Sequence, residues 1–272
     1  MSYVNQHFVT KAYIKAWCDP ETPNNGAFVW AISKDTHKIS RKSPKNLFSE
    51  VDFYTVYDSE GNRILELEYK LKEIEDKFIQ MRDNKLQKHH SLEPKDRLTI
   101  ALFVSTMFAR VKFQREIQEE IWQELLDKLK GIPKDSIEYK QIVMLQKQPM
   151  PFHLFNFVNI SAPALLRMNC AIYETRNKPG FITSDNPCIW PDPALLYPKE
   201  PVTWFGLGSS KLNVILPVSP NQCISLQRRG PDGYYNADDL FIDATQNLIA
   251  SNSKEYIVLN QKLVKESWFS IE

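Results

Sequence analysis

A chain of 272 residues, with 34 Lys plus Arg against 33 Asp plus Glu, is long enough for one substantial core and creates no global field that draws in nucleic acid or membrane. Eight glycines against seventeen prolines argue against glycine-rich nucleotide loops and for stiff, extended connections. Met1 to His7 lacks the basic start and apolar run of a secretory signal, and the four cysteines show no Cys-x-x-Cys spacing. These features lead us to expect a cytoplasmic protein with buried thiols and no membrane partner.

Residues 7 to 17 read as a short helix or an extended segment that places Phe8, Tyr13, Ile14 and Trp17 on one face. The turn-forming run 19 to 26 precedes a strand over 27 to 33, with 36 to 39 as its hairpin partner. Phe53 to Tyr57 reads as another strand. From Ile64 the period changes: Leu67, Leu71, Ile74 and Phe78 recur at helical spacing among Glu and Lys. A longer helix is expected to start near Glu93-Pro94 and run towards Lys130, with a break near Arg110. Its first half is apolar nearly all round. Its second half carries a one-sided stripe of Phe113, Ile117, Ile121, Leu125 and Leu129.

Helices are further expected over 135 to 147, 152 to 166 and 239 to 250, and strands over 170 to 173, 181 to 183, 212 to 216, 223 to 226 and 256 to 259. Strand-rich ends (1–60 and 169–272) around a helical middle (64–168) predict an α+β single domain, with a helical layer on a mostly antiparallel mixed sheet. Pro187 to Pro201 reads as a long, ordered, proline-rich loop.

A few polar residues stand in apolar surroundings. In Phe181-Ile-Thr-Ser-Asp-Asn-Pro187 an apolar strand ends on small polar residues before a proline. These residues either close a turn or make Asp185 a general base or metal ligand, with Thr183, Ser184 and Asn186 as substrate contacts. His7 is either a structural histidine bonded to backbone or a general acid–base group. A guanidinium at Arg110, inside an apolar helix, must be paired or face a polar cavity, because an isolated buried charge is costly. It either bridges to Asp185 or faces a phosphate or carboxylate. Asp52 followed by Glu68-Tyr-Lys70 imitates a nuclease metal-and-lysine pattern, but the helical period of 64 to 82 makes solvated helix charge the better reading.

Gln6-His-Phe-Val-Thr-Lys-Ala-Tyr-Ile-Lys-Ala-Trp17 resembles the opening "His-aromatic-x-Pro-x-x-Tyr-Leu-x-x-Phe" of the domain-of-unknown-function 4238 family, and residues 181 to 187 resemble its "Phe-Ile-Thr-Ser-Asp-x-Pro" motif. Phe53-Tyr54, Glu68, Ile74-Glu75, Arg110, Leu216-Pro-Val-Ser-Pro220 and Asn247 fall in the same order. Thr10 in place of proline and Trp17 in place of phenylalanine depart from the pattern. The resemblance implies a bacterial or phage protein and supplies no reaction.

The functional expectation therefore rests on the residues. His7, Arg110 and Asp185 are the candidate catalytic groups; Thr183, Ser184 and Asn186 are candidate substrate contacts, and a divalent metal is compatible with the set. They suggest a nucleic-acid- or nucleotide-directed enzyme, such as a nuclease acting as a toxin or in phage defence. The alternative is a non-catalytic module that binds a protein partner through the amphipathic helix 113 to 129 and the loop 187 to 205.

Overall fold

The computed structural model describes residues 5–22, 26–58, 60–128, 131–190 and 207–269. The chain opens with strand β1 (Asn5–His7), a one-turn helix α1 (Lys11–Ile14) and a 3-10 turn to Trp17. Thr10 caps α1, its hydroxyl accepting from the Ala12 N–H at 3.3 Å. The expected face forms: Phe8, Tyr13, Ile14 and Trp17 are all fully buried. Each such side chain contributes about 1.5–3 kcal/mol of apolar transfer.

Strands β2 (Val29–Ser33) and β3 (Ile39–Lys42) form a hairpin, but its return strand begins at Ile39, where the expected strand over 36 to 39 ends, because the turn takes up residues 34 to 38. Next come β4 (Ser49–Val51), β5 (Val56–Tyr57) and β6 (Arg63–Ile64). The strand expected over 53 to 57 is thus shorter. Asp52 takes φ 53°, and the chain turns through Phe53 and Tyr54 before extending. β1 pairs with β4, and β5 with β6, as two-stranded ribbons.

The helical middle comprises α2 (Glu66–Asn84), α3 (Pro94–Ala109), α4 (Lys112–Lys128), α5 (Ile137–Lys147) and α6 (Pro149–Leu166). The break at Arg110 is real, for this residue is the C-cap of α3. At the other end of α3, Asp96 reaches back to the Glu93 N–H at 2.8 Å. The stripe on α4 is not the packed face: Phe113 and Ile121 are exposed, Ile117 and Leu125 half-buried and Leu129 outside the described residues, while Gln114 and Trp122 are the buried residues. A stripe at spacings of four drifts around a helix with 3.6 residues per turn, so it does not stay on the packed face.

The C-terminal third supplies β7 (Asn169–Glu174), β8 (Thr183–Ser184), β9 (Asn213–Ser219), β10 (Gln222–Gln227), β11 (Gly233–Asn236), α7 (Asp239–Asn252) and β12 (Tyr256–Leu259). One four-stranded sheet has the order β3-β2-β12-β8 and is antiparallel throughout. The other has the order β11-β7-β10-β9, with β11 parallel to β7. An Ile189–Ile215 bridge ties the segment after β8 to β9 and so links the two sheets. α3 packs on α2 and α6, and these helices share one apolar core with the residues of β7, β9 and β10. The fold is α+β, as the segregation of helices and strands predicts. Of the proline-rich loop, residues 191 to 206 lie outside the described residues.

Candidate functional site

The two sequence motifs meet. Tyr13 shares a 2.9 Å hydrogen bond with Thr183 Oγ1 and donates to the Pro217 carbonyl at 2.6 Å. Trp17 Nε1 donates to the Phe181 carbonyl at 2.8 Å. The N-terminal helix is therefore bolted to the strand that carries the second motif. Gly180 allows the close approach just before it. At φ 69° it lies so near Pro220 that an added Cβ would fall 2.1 Å from that carbonyl oxygen.

Asp185 is turned inward. Its carboxylate accepts from the Ser253 hydroxyl at 2.7 Å and from the backbone N–H groups of Lys254, Glu255 and Tyr256 at 3.0–3.2 Å. These donors form the link between α7 and β12, so Asp185 sets where β12 begins. Asn186 donates to the Asn252 carbonyl at 3.5 Å, at the end of α7, and Ser184 Oγ accepts from the Asn186 N–H at 3.1 Å. Thr183, Ser184, Asp185 and Asn186 are all buried, and none lines either of the two clefts described here.

Arg110 does not bridge to Asp185. Its side chain is fully buried, and Nη1 donates to Glu75 Oε1 at 2.5 Å. Glu75, from α2, lines a cleft of about 490 Å3 together with Gln6, His7, Thr10, Lys11 and Tyr54. Glu68, Lys15, Lys72 and Asp76 complete its polar rim.

His7 stands on the wall of this cleft. Burial lowers its pKa from the ordinary histidine range, against a hydrogen bond to the Lys45 backbone and the nearby Glu75 charge, which raise it. Lys11 and Arg110 lower it further. His7 Nε2 is buried without a hydrogen-bond partner. Tyr54, also buried, has its hydroxyl pKa raised, chiefly by burial.

A second layer holds the wall. Gln6 Nε2 donates to Thr55 Oγ1 at 2.9 Å and to Glu68 Oε1 at 2.7 Å, and Gln6 Oε1 accepts the Tyr54 N–H at 2.7 Å. Arg63 bridges Asp52 at 2.8 Å and Glu68 at 3.2 Å.

His7 lines the cleft, Arg110 lies buried behind it and pairs with the cleft residue Glu75, and residues 183 to 186 line neither cleft. The two halves of the α2 reading part ways. Glu66 and Lys70 pair in solvent, with side chains 70% and 68% exposed. Glu68 and Glu75 turn inward, at 25% and 18%. The signal that could have found them is their seven-residue spacing around Leu71, with Phe78 on the same face. Among the described residues no group of three or more His, Cys, Asp or Glu side chains is arranged to hold a metal ion. None of the described helices is long and apolar enough to cross a membrane.

No match was found among curated proteins or among solved structures. A family model described as a protein of unknown function, DUF4238, matches residues 5–262. The chain belongs to the DUF4238 family.

Proposed function

We propose that the His7 cleft is the active site of an acid–base enzyme acting on a phosphodiester in nucleic acid or a nucleotide, with a nuclease toxin or phage-defence effector as its biological form. The observation that carries the reading is the buried, unpartnered Nε2 of His7 at a cleft wall. His7 Nε2 takes a proton from the attacking hydroxyl or water. Lys11, Lys15 and Lys72 on the rim attract and place the phosphate. Arg110 acts through Glu75, holding that carboxylate beside His7. Asp185 has a positioning role, through the α7–β12 link.

The test is cleavage of fluorophore-labelled RNA and DNA oligonucleotides by the purified protein, with growth and nucleic-acid integrity followed in expressing cells. His7→Gln, shown to fold, should lower cleavage by about 10²–10⁴-fold. Because burial lowers the His7 pKa, cleavage should persist below pH 6.5 and fall only at a more acid pH. A folded His7→Gln protein that cleaves like the wild type would refute the assignment.

One observation favours the second reading, a protein-binding module. Phe152, Phe155 and Ile160 on α6, Ile137 on α5 and Ile121 on α4 expose large apolar side chains. Phe155→Ser with Ile160→Ser should abolish partner capture and leave oligonucleotide cleavage untouched. Loss of cleavage in that variant would speak against a separate interaction surface.

A further inference from the structure

On the far side of α1 lies a larger cleft, of about 1270 Å3, which meets the His7 cleft at Ala12 and Lys15. Three polar atoms on its lining residues are buried without partners: Arg82 Nη1, Gln222 Oε1 and Asn260 Oδ1. They come from α2, from β10 and from the turn after β12, so no single local motif explains them. Arg82 and Gln222 are only 5% and 4% exposed. Buried polar groups are normally paired, so each of these atoms calls for a partner from outside the protein.

The identity of two of the open valences is fixed by their neighbours. Gln222 Nε2 donates to the Leu86 carbonyl at 2.8 Å and to Glu174 Oε1 at 2.6 Å. Both neighbours are acceptors, so the amide cannot be flipped and Oε1 must face a donor. Arg82 Nε is occupied by Asp83 at 2.8 Å, which leaves Nη1 for an acceptor. Glu174 also meets His89 Nε2 at 3.0 Å, so this end of the cleft favours N–H groups over anions. Lys15 and Arg176 add positive charge to the lining.

We propose that this cleft binds a small molecule carrying both an anionic group, taken by Arg82, and N–H donors, taken by Gln222 and Asn260. Two ligand sources share that chemistry: a nucleotide, through its phosphate and its base N–H groups, and an amino acid, through its carboxylate and ammonium. The size of the cleft favours the nucleotide. The site adjoins the His7 cleft, sharing Ala12 and Lys15 with it, but its occupancy is read without turnover, so either reading can fail alone.

The test is calorimetric titration of the purified full chain with AMP, L-glutamine and inorganic phosphate. Saturable binding of AMP, weakened at least about tenfold in both Arg82→Gln and Asn260→Ala, is the expected result. Asn260→Ala removes an acceptor that has no partner, so it tests the site even where Arg82→Gln does not fold. L-Glutamine binding with the same dependence on Asn260 supports the proposal and assigns the amino-acid source. Phosphate binding as tight as AMP, binding unchanged in Asn260→Ala, or no binding of any probe would overturn it.

Discussion

His7 and Asp185 are both polar residues set among apolar neighbours, and the structure treats them in opposite ways. Every oxygen of Asp185 is engaged, chiefly by the N–H groups of one backbone link. At His7, on the wall of a cleft, ring Nε2 is buried with no partner. A buried polar group with its valences filled specifies structure; one with a valence left open has room for a partner from outside the protein. The same contrast separates Gln6, which is fully bonded, from its neighbour His7.

Stability should break the comparison most visibly. Asp185→Ala removes the common acceptor of Ser253, Lys254, Glu255 and Tyr256 and leaves buried donors unmet. We expect a loss of about 3–5 kcal/mol in urea unfolding, against a change of about 1 kcal/mol or less for His7→Gln. Equal losses would erase the distinction.

A step smaller is the ion pair behind the cleft. Glu75→Leu leaves the fully buried Arg110 charge without its partner and should cost about 3 kcal/mol. Adding Arg110→Met to that variant should restore most of the stability, since the unpaired charge is then gone. A double variant no more stable than the single one would contradict this account of Arg110.

Smaller again is the pH dependence. Burial lowers the His153 pKa to about 4, and His7 is lowered in the same direction. Both fold neutral, so protons bind the unfolded chain more readily. Stability contributed this way is complete above the unfolded value of 6.5 and declines as pH falls from there towards 4. Allowing for partial solvent screening, the His153 part is about 1–2 kcal/mol. His153→Leu should flatten the slope of urea stability between those limits; an unchanged slope would assign the effect elsewhere. At the bottom of the scale, Lys70→Ala breaks only a solvent-exposed i,i+4 pair and should shift stability by less than about 0.5 kcal/mol.

Much of the architecture is legible in the residues. The change from period two to period 3.6 at Ile64 marks where helices begin, and the chemistry of Arg110 marks the break between α3 and α4. His7 and Arg110 also stand out, as polar groups that apolar neighbours isolate. Glu75 is harder to see. It lies among Glu and Lys residues whose local pattern suits a solvated helix, and only its place on the face of Leu71 and Phe78 marks it as turned inward, where α2 packs on α3. Short strands such as β1, β4 and β11 were illegible for a related reason. Their residues alternate weakly, and partners supplied from elsewhere in the chain decide that they are strands. The placement of Asp185 depends on a contact across about seventy residues of chain, with a turn whose own sequence, Ser253-Lys-Glu-Tyr256, announces nothing.

The most direct test of the central claim is an NMR titration of the His7 ring, reading the protonation of each nitrogen against pH. A neutral ring with the proton on Nδ1, a bare Nε2 at pH 7 and a midpoint below 6.5 are expected. A proton on Nε2, or a midpoint at or above 6.5, would show that His7 is a satisfied structural histidine and would remove the basis for a site in this cleft.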